Sequence, residues 1–367
     1  MHGLPSQFTP SQVECSNLEC LTLGAGSGLP LEDVTFVSQL ISLTYLQLFS
    51  GLRADDTASQ LQGSFTQLSK LQCLEAHNFH SVSPDLSKLT SLHTLCLLPA
   101  TDATHDLSGF SNLTHLDITS SRKGGGRIIL PAGDHVQLQH LVADTKGRLL
   151  NLHFATALTR LELHPHQVDS VQWPYCLPRL KVLQFGYAFE EAYASLFAQD
   201  RTLQLHDPLP SAWQHYINLE YLRIPRFATQ DGMPCWLPEF KHVKALEMPM
   251  AVSSDFLTEL LQLTGLEILN LGEADMPWTE QVVNFATLPQ LRHLNLGRLG
   301  GVDKEDETFH AYYSEEEKVN LDKLEQALSA RKVKLERVAV STREGDPVSG
   351  IYWSFYPPGQ QPIILAR

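Results

Sequence analysis

The hexad Leu266-Glu267-Ile268-Leu269-Asn270-Leu271 has the form L-x-x-L-x-L, and near-copies of it recur along almost the whole chain. They begin at Leu18, Leu43, Leu71, Leu92, Leu113, Leu138, Leu158, Leu180, Leu219, Val243, Leu266, Leu291 and Leu335, most of them 20 to 28 residues apart. The 39-residue step from Leu180 to Leu219 is about two repeats long, and Leu203 with Leu205 supplies a degenerate copy near Asp200, which turns thirteen hexads into fourteen units. The second and third leucines alternate with other residues, the period-two pattern of a strand with one buried face. A three-residue apolar spacing precedes many hexads, as in Phe65 and Leu68 before Leu71, or Phe285 and Leu288 before Leu291. The returning segments therefore face the same core. One unit of this size cannot bury these side chains alone, whereas a stack of them can.

Over residues 17–340 the repeated hexad resembles that of leucine-rich repeat proteins of the ribonuclease-inhibitor-like superfamily. The resemblance implies an α/β leucine-rich repeat solenoid, a curved horseshoe with parallel strands on its concave face and short helices and turns on its convex face. One departure stands out. The Asn or Cys usual three residues after the last leucine is replaced by Gly26, Gly51, Phe79, Ala100, Ser121, Ala274 and Leu299, so a side-chain amide ladder is not expected and the curvature should be irregular. Helical returns are expected at 254–263, 279–285 and 320–330, the last with Leu321, Leu324 and Leu328 on one face. Residues 1–16 read as an N-terminal cap or tail, 17–340 as one elongated repeat domain with an acidic, loop-like insertion at 300–318, and 341–367 as a C-terminal cap. In that cap Ile351-Tyr352-Trp353-Ser354-Phe355-Tyr356 reads as a strand covering the last open sheet edge.

A net charge of -14 with a pI near 5.5 disfavours nucleic acid and anionic membranes as partners. The first residues lack a basic and then apolar leader, and no run of 18 apolar residues occurs, so a cytoplasmic location is expected, with the nucleus or the cytoskeleton as alternatives. Cys15, Cys20, Cys73, Cys96, Cys176 and Cys235 form no CxxC pair, which fits reduced thiols. Cys73 and Cys96 fall on adjacent rows, but free thiols are the expectation there too.

Gly24-Ala25-Gly26-Ser27-Gly28 has no lysine at the phosphate-loop position and reads as an inter-repeat loop. His77 with His80, and His164 with His166, pair imidazoles in sequence without a clear third ligand, so neither metal nor cofactor is expected. Catalytic signatures such as G-x-S-x-G or H-E-x-x-H are absent from the sequence, and the chain is expected not to be an enzyme.

In each hexad the residues flanking the second and third leucines point away from the core. They give the rows Cys73, Glu75, His77; Thr94, Cys96, Leu98; His115, Asp117, Thr119; His140, Val142, Asp144; Arg160, Glu162, His164; and, further on, Tyr221, Arg223, Pro225 and Ile268, Asn270, Gly272. Fourteen strands about 4.8 Å apart would make a surface roughly 65 Å long, a size suited to a macromolecular partner. Candidate partner-binding residues are His115, Asp117, His140, Asp144, Arg160, Glu162, His164, Tyr221 and Arg223, with imidazoles expected to titrate near pH 6 to 7 because carboxylates neighbour them. A second candidate is a basic rim, Arg122, Lys123, Arg127, Lys146 and Arg148, on the loops of two consecutive repeats, suited to an acidic or phosphorylated segment. The expected function is a monomeric, non-catalytic protein-interaction scaffold. The resemblance implies a substrate-recognition arm of a cullin-type ubiquitin ligase, although only Leu4-Pro5 corresponds to the opening of the F-box such proteins carry. A cytoskeletal or axonemal scaffold and a GTPase-regulator-type binder are the alternatives, with an enzyme a minor one.

Overall fold

The computed structural model describes residues 17–24, 37–49, 60–61, 63–79, 81–82, 84–99, 104–119, 127–133, 136–144, 148–163, 177–185, 216, 218–223, 240–247, 258–271, 280–298 and 315–338. The chain divides into two compact units, residues 1–180 and 181–367. In the first, seven strands, β1 (Cys20–Gly24), β2 (Tyr45–Phe49), β3 (Cys73–Phe79), β4 (Thr94–Pro99), β5 (His115–Thr119), β6 (His140–Asp144) and β7 (Arg160–Leu163), each pair in parallel with the one before. The second unit repeats the scheme with β8 (Val182–Phe185), β9 (Tyr221–Arg223), β10 (Ala245–Glu247), β11 (Ile268–Asn270), β12 (His293–Arg298) and β13 (Lys334–Val338). Parallel neighbours need a crossover between them, and each repeat supplies one.

The register lines up the leucines. Leu46, Leu74, Leu95, Leu116, Leu141 and Leu161 stand opposite one another and are buried, as are Leu183, Leu222, Leu246, Leu269 and Leu294 in the second unit. Each such side chain stabilises by about 1.5–3 kcal/mol relative to exposure. The returns are mostly tight. Leu68 N–H bonds Phe65 C=O and Leu71 N–H bonds Leu68 C=O, and the same i to i+3 pairs recur at Leu86-Leu89-Leu92, Leu107-Phe110-Leu113 and Leu260-Leu263-Leu266. An apolar residue at every third position matches the three residues per turn of a 3-10 helix, in which those side chains eclipse and all face the core. Hence the returns Gly63–Gln67, Pro84–Lys88 and Glu280–Thr287 are 3-10 helices rather than α-helices.

Neighbouring repeats are also joined just before each strand. Thr44 and Tyr45 N–H both donate to Glu19 C=O, Gln72 and Cys73 to Thr44 C=O, His93 and Thr94 to Gln72 C=O, and so on to Thr159 and Arg160 on Gln139 C=O. The second unit has the same pairs, from Glu220 and Tyr221 on Lys181 C=O to Arg292 and His293 on Glu267 C=O. A carbonyl has two lone pairs, and here both serve one interface. This backbone clamp couples the repeats at the strand starts, at the opposite end of the hexad from the position of the missing Asn.

Three expectations change. First, β8 and β9 are direct neighbours, with Leu183 opposite Leu222, so no strand from the degenerate copy at Leu203 and Leu205 stands between them; those two leucines lie outside the described residues. Second, Leu335 faces Leu294, the second leucine of its hexad, so the last repeat is framed three residues earlier, with Lys332 at its first position. Third, helix α1 (Glu315–Ala330) begins five residues before the expected 320, so Glu315, Glu316 and Glu317 form a helical first turn instead of ending a loop.

The helix closes with Val333 N–H on Leu328 C=O and Lys332 N–H on Ser329 C=O, a Schellman arrangement that holds Lys332 at φ 58°. Val333 and Leu328 are both buried beside it. Next to that turn the Arg331 guanidinium donates to the carbonyls of Ala286, Leu288 and Pro289, gathering the C-terminal end of the 3-10 helix Glu280–Thr287. Residues 258–260 form one helical turn within the expected 254–263. The N-terminal cap or tail, the body of the insertion at 300–314 and the strand at 351–356 lie outside the described residues.

Candidate functional site

The sheet face opposite the leucines in the first unit is a grid of three columns. The first runs Cys20, Tyr45, Cys73, Thr94, His115, His140, Arg160; the middle one Thr22, Gln47, Glu75, Cys96, Asp117, Val142, Glu162. The third brings Phe49 opposite His77 and His77 opposite Leu98, with Thr119 opposite Asp144. The rows expected from the hexads are thus aligned strand to strand. Tyr45, Gln47 and Phe49 were missed, although the same arithmetic applied to the hexad at Leu43 yields them.

Hydrogen bonds organise this grid at its N-terminal end. Thr22 Oγ1 donates to Gln47 Oε1 at 3.3 Å and Gln47 Nε2 donates to Glu75 Oε2 at 2.7 Å. Burial, and then the hydrogen bond to Glu75, push the Tyr45 hydroxyl up to about 12. His77 Nε2 lies 3.9 Å from Glu75 Oε2, and its ring packs on Phe49 with centroids 4.3 Å apart. Phe49 keeps 37% of its surface exposed. Of the three free thiols of the grid, Cys20 is exposed, while burial raises Cys73 and Cys96 to about 11 and about 12, so both of these stay protonated at neutral pH.

Toward β7 the imidazoles come together. The His115 and His140 rings lie edge to face at 4.3 Å, Thr114 Oγ1 and His115 Nδ1 are 2.8 Å apart, and Thr119 Oγ1 donates to Asp117 Oδ1 at 2.7 Å. Arg160 Nη2 lies 3.5 Å from Glu162 Oε2. The expected upward shift of the imidazoles is reversed. Burial lowers His77 and His115, and burial followed by the charges of His115 and Arg160 lowers His140. Desolvation of the cation outweighs the carboxylates, and the nearest neighbour of His140 across the sheet is another imidazole. Asp117 moves the opposite way, raised chiefly by burial. Asp144 lies in β6, while His164 is outside the described residues.

The second unit differs. Its middle column runs Gln184, Arg223, Glu247, Asn270, Asn295, Glu336, and Arg223, Glu247, Asn270 and Asn295 are all buried. Tyr221 and Arg223, expected on a solvated surface, are 5% and 8% exposed, and Asn270 is 5% exposed. Tyr221 Oη donates to Glu247 Oε2 at 2.8 Å, and Arg223 Nε lies 3.5 Å from Glu247 Oε1. Hexad arithmetic names the face a side chain points to, not how much of it is covered. Tyr221 and Arg223 are therefore part of a packed polar interior in this unit.

Of the basic rim, Arg127 and Arg148 are described, and both are exposed. Ile128 N–H donates to Arg148 C=O, and the short strand Ile128–Ile129 pairs with Leu149–Leu150 and with His105–Asp106, so the two arginines head adjacent strands of a small parallel sheet. Arg122, Lys123 and Lys146 lie outside the described residues. Asn112 uses its side-chain amide to bond Thr90 C=O of the previous repeat. Among the described residues no group of three or more His, Cys, Asp or Glu side chains is arranged to hold a metal ion, and no helix is long and apolar enough to cross a membrane.

Register-aligned hexads, a buried leucine column in each unit and three-residue-period returns decide the architecture. The fold is that of a leucine-rich repeat protein. No protein-family model and no curated protein matches the sequence. Among solved structures, the chain is similar to an internalin from Listeria monocytogenes at 17% identity, over 79% of this chain and 77% of that one, with a TM-score of 0.42. It is also similar to a leucine-rich repeat protein of Leptospira interrogans, at 15% identity over 84% of this chain and 81% of that one, TM-score 0.42. A plant peptide hormone receptor, RGFR1, in complex with RGF2 is similar at 14% identity, over 76% of this chain and 45% of that one, TM-score 0.42.

Proposed function

We propose that the chain is a non-catalytic interaction scaffold and that the polar face of the first unit holds its protein partner. One observation carries the reading: seven aligned strands present half-exposed Tyr, His, Thr, Cys and carboxylate side chains, while in the second unit Tyr221, Ala245 and the middle-column Arg223, Glu247, Asn270 and Asn295 are buried. Half-buried aromatic and polar groups on a rigid sheet pay little ordering entropy on binding, which favours recognition there. A ubiquitin-ligase recognition arm, the role implied by the sequence resemblance, is one setting for such a face, and a co-purified cullin adaptor is its sign.

The test is site-specific photocrosslinking. A benzophenone side chain at Thr94 or Val142, on the polar face, is expected to capture a partner that the same group at Lys88, on a return segment, does not. Thr94→Arg should suppress the Val142 crosslink. Equal capture from all three positions overturns the assignment.

A further inference from the structure

Three carboxylates of the first unit share the middle column, Glu75 on β3, Asp117 on β5 and Glu162 on β7, with Cys96 and Val142 on the strands between them. They are therefore two strands apart, about 9.6 Å at the usual strand spacing. The face has one guanidinium among its described residues, Arg160, beside Glu162. His77, His115 and His140 are lowered and so remain neutral at pH 7. The grid is thus net negative, and its negative charge has a period. At one end, in the neighbouring column, exposed Phe49 packed on His77 supplies an apolar seat next to the strand that carries Glu75.

A chain laid across the strands meets these groups in turn. A polyproline-type peptide rises about 3.1 Å per residue with three residues per turn, so three residues cover roughly 9 Å and every third side chain lies on one side. A β-type peptide, with its period of two, turns every third side chain away. Side chains at every third position then fall over successive carboxylates. A helical ligand does not match, because three or four residues of helix advance only about 4.5 to 6 Å.

We propose that the occupant of this face is a basic protein segment in polyproline-type conformation, with an apolar residue followed by three Lys or Arg residues at every third position, the apolar side chain on Phe49 and the cations on Glu75, Asp117 and Glu162. The inference deepens the scaffold reading and rests on it. It specifies a period, which distinguishes recognition from general attraction of polycations to a chain of net charge -14.

The test uses the full chain and fluorescein-labelled peptides of twelve residues, in a Gly-Pro-Ser background, carrying one Leu and three Lys. In one peptide the lysines stand at every third position, in the others at every second or every fourth, and in a fourth peptide Glu replaces Lys at every third. Fluorescence polarisation at about 0.15 M salt is expected to rank the every-third peptide at least tenfold tighter than the other lysine peptides. Glu75→Gln, Asp117→Asn and Glu162→Gln together should remove that preference, and Phe49→Ser should weaken the every-third peptide alone, with circular dichroism unchanged in both proteins. Equal binding of all three lysine peptides reduces the column to unspecific charge and overturns the proposal, as does binding of the glutamate peptide. Absence of peptide binding together with a partner crosslinked at Thr94 or Val142 overturns the basic-segment inference and leaves the scaffold reading standing; failure of both overturns both.

Discussion

Removing the charge of Glu247 while keeping its shape, Glu247→Gln, tests the buried polar column of the second unit most directly. Its carboxylate is 4% exposed, takes the Tyr221 hydroxyl at 2.8 Å on one oxygen and lies 3.5 Å from the Arg223 guanidinium on the other. At that distance and an effective dielectric constant of about 20 the attraction is about 5 kcal/mol. Burying both ions costs several kcal/mol each, so the pair contributes little net stability, but removing one member strands the other and costs about 3–5 kcal/mol. The glutamine retains the tyrosine hydrogen bond, so a loss of about 3 kcal/mol is expected. Arg223→Met together with Glu247→Gln should recover to within about 1 kcal/mol of wild type, because no buried charge is then left unpaired. Equilibrium urea unfolding by circular dichroism measures the totals, and hydrogen exchange of peptides from β9 and β10 assigns the loss to this unit, since two units need not melt in one step. A single variant within about 0.5 kcal/mol of wild type would refute the buried-pair reasoning.

Leu116→Ala, at a fully enclosed site, should cost about 2–5 kcal/mol, whereas Thr94→Ala on the polar face should stay within about 0.5; equal melting shifts would reverse the inside and outside of the sheet. Asn270→Asp should cost at least about 2 kcal/mol because it places a charge at a buried position, and a silent substitution would mean that the position is solvated. Lys332→Gly should stabilise by about 0.5–1 kcal/mol, since φ 58° disfavours a residue with a Cβ; an unchanged urea midpoint contradicts it. Stability should fall between about pH 7 and 5. His77, His115 and His140 sit below the ordinary imidazole value, so the unfolded chain binds protons first as pH drops past about 6.5, and the stability present above that value is lost below it. His140 faces His115 on β5 and Arg160 on β7, and His140→Gln should flatten the slope; Asp117, raised from its ordinary value by burial, works in the opposite sense at lower pH. An unaltered slope in urea titrations of His140→Gln would discount the imidazole contribution.

The strands and their facing were legible because a period of two is local: Leu116, His115 and Asp117 take their sides from the hexad alone. The register followed, since equal hexads stacked in parallel align like residues, as Glu75, Cys96 and Asp117 do. What failed depended on distance through space. The burial of Tyr221 and Arg223 depends on tertiary cover, which hexad spacing does not encode. The direction of the His115 shift turned on desolvation, a property of packing, rather than on the charge of Asp117 two positions along. Leu335 was framed wrongly because its hexad opens with the lysine of a helix-terminating turn, which hides the first apolar position. The adjacency of β8 and β9 was hidden by a connection long enough to imitate an additional repeat.

The paired N–H donors at each strand start have a consequence for how freely such a chain can vary. A side-chain ladder ties the stacking of repeats to one residue type at one position in every unit, and losing that residue weakens a rung. Here Glu19, Thr44, Gln72, His93, Thr114 and Gln139 each hold the next repeat through a carbonyl that every amino acid possesses. The paired N–H bonds need no particular side chain, although Thr44 and Thr114 add their hydroxyls to the Glu19 and His93 carbonyls. The side chains beside the clamp are released to diversify while the spacing of the sheet is preserved, so one backbone frame can carry many different surfaces.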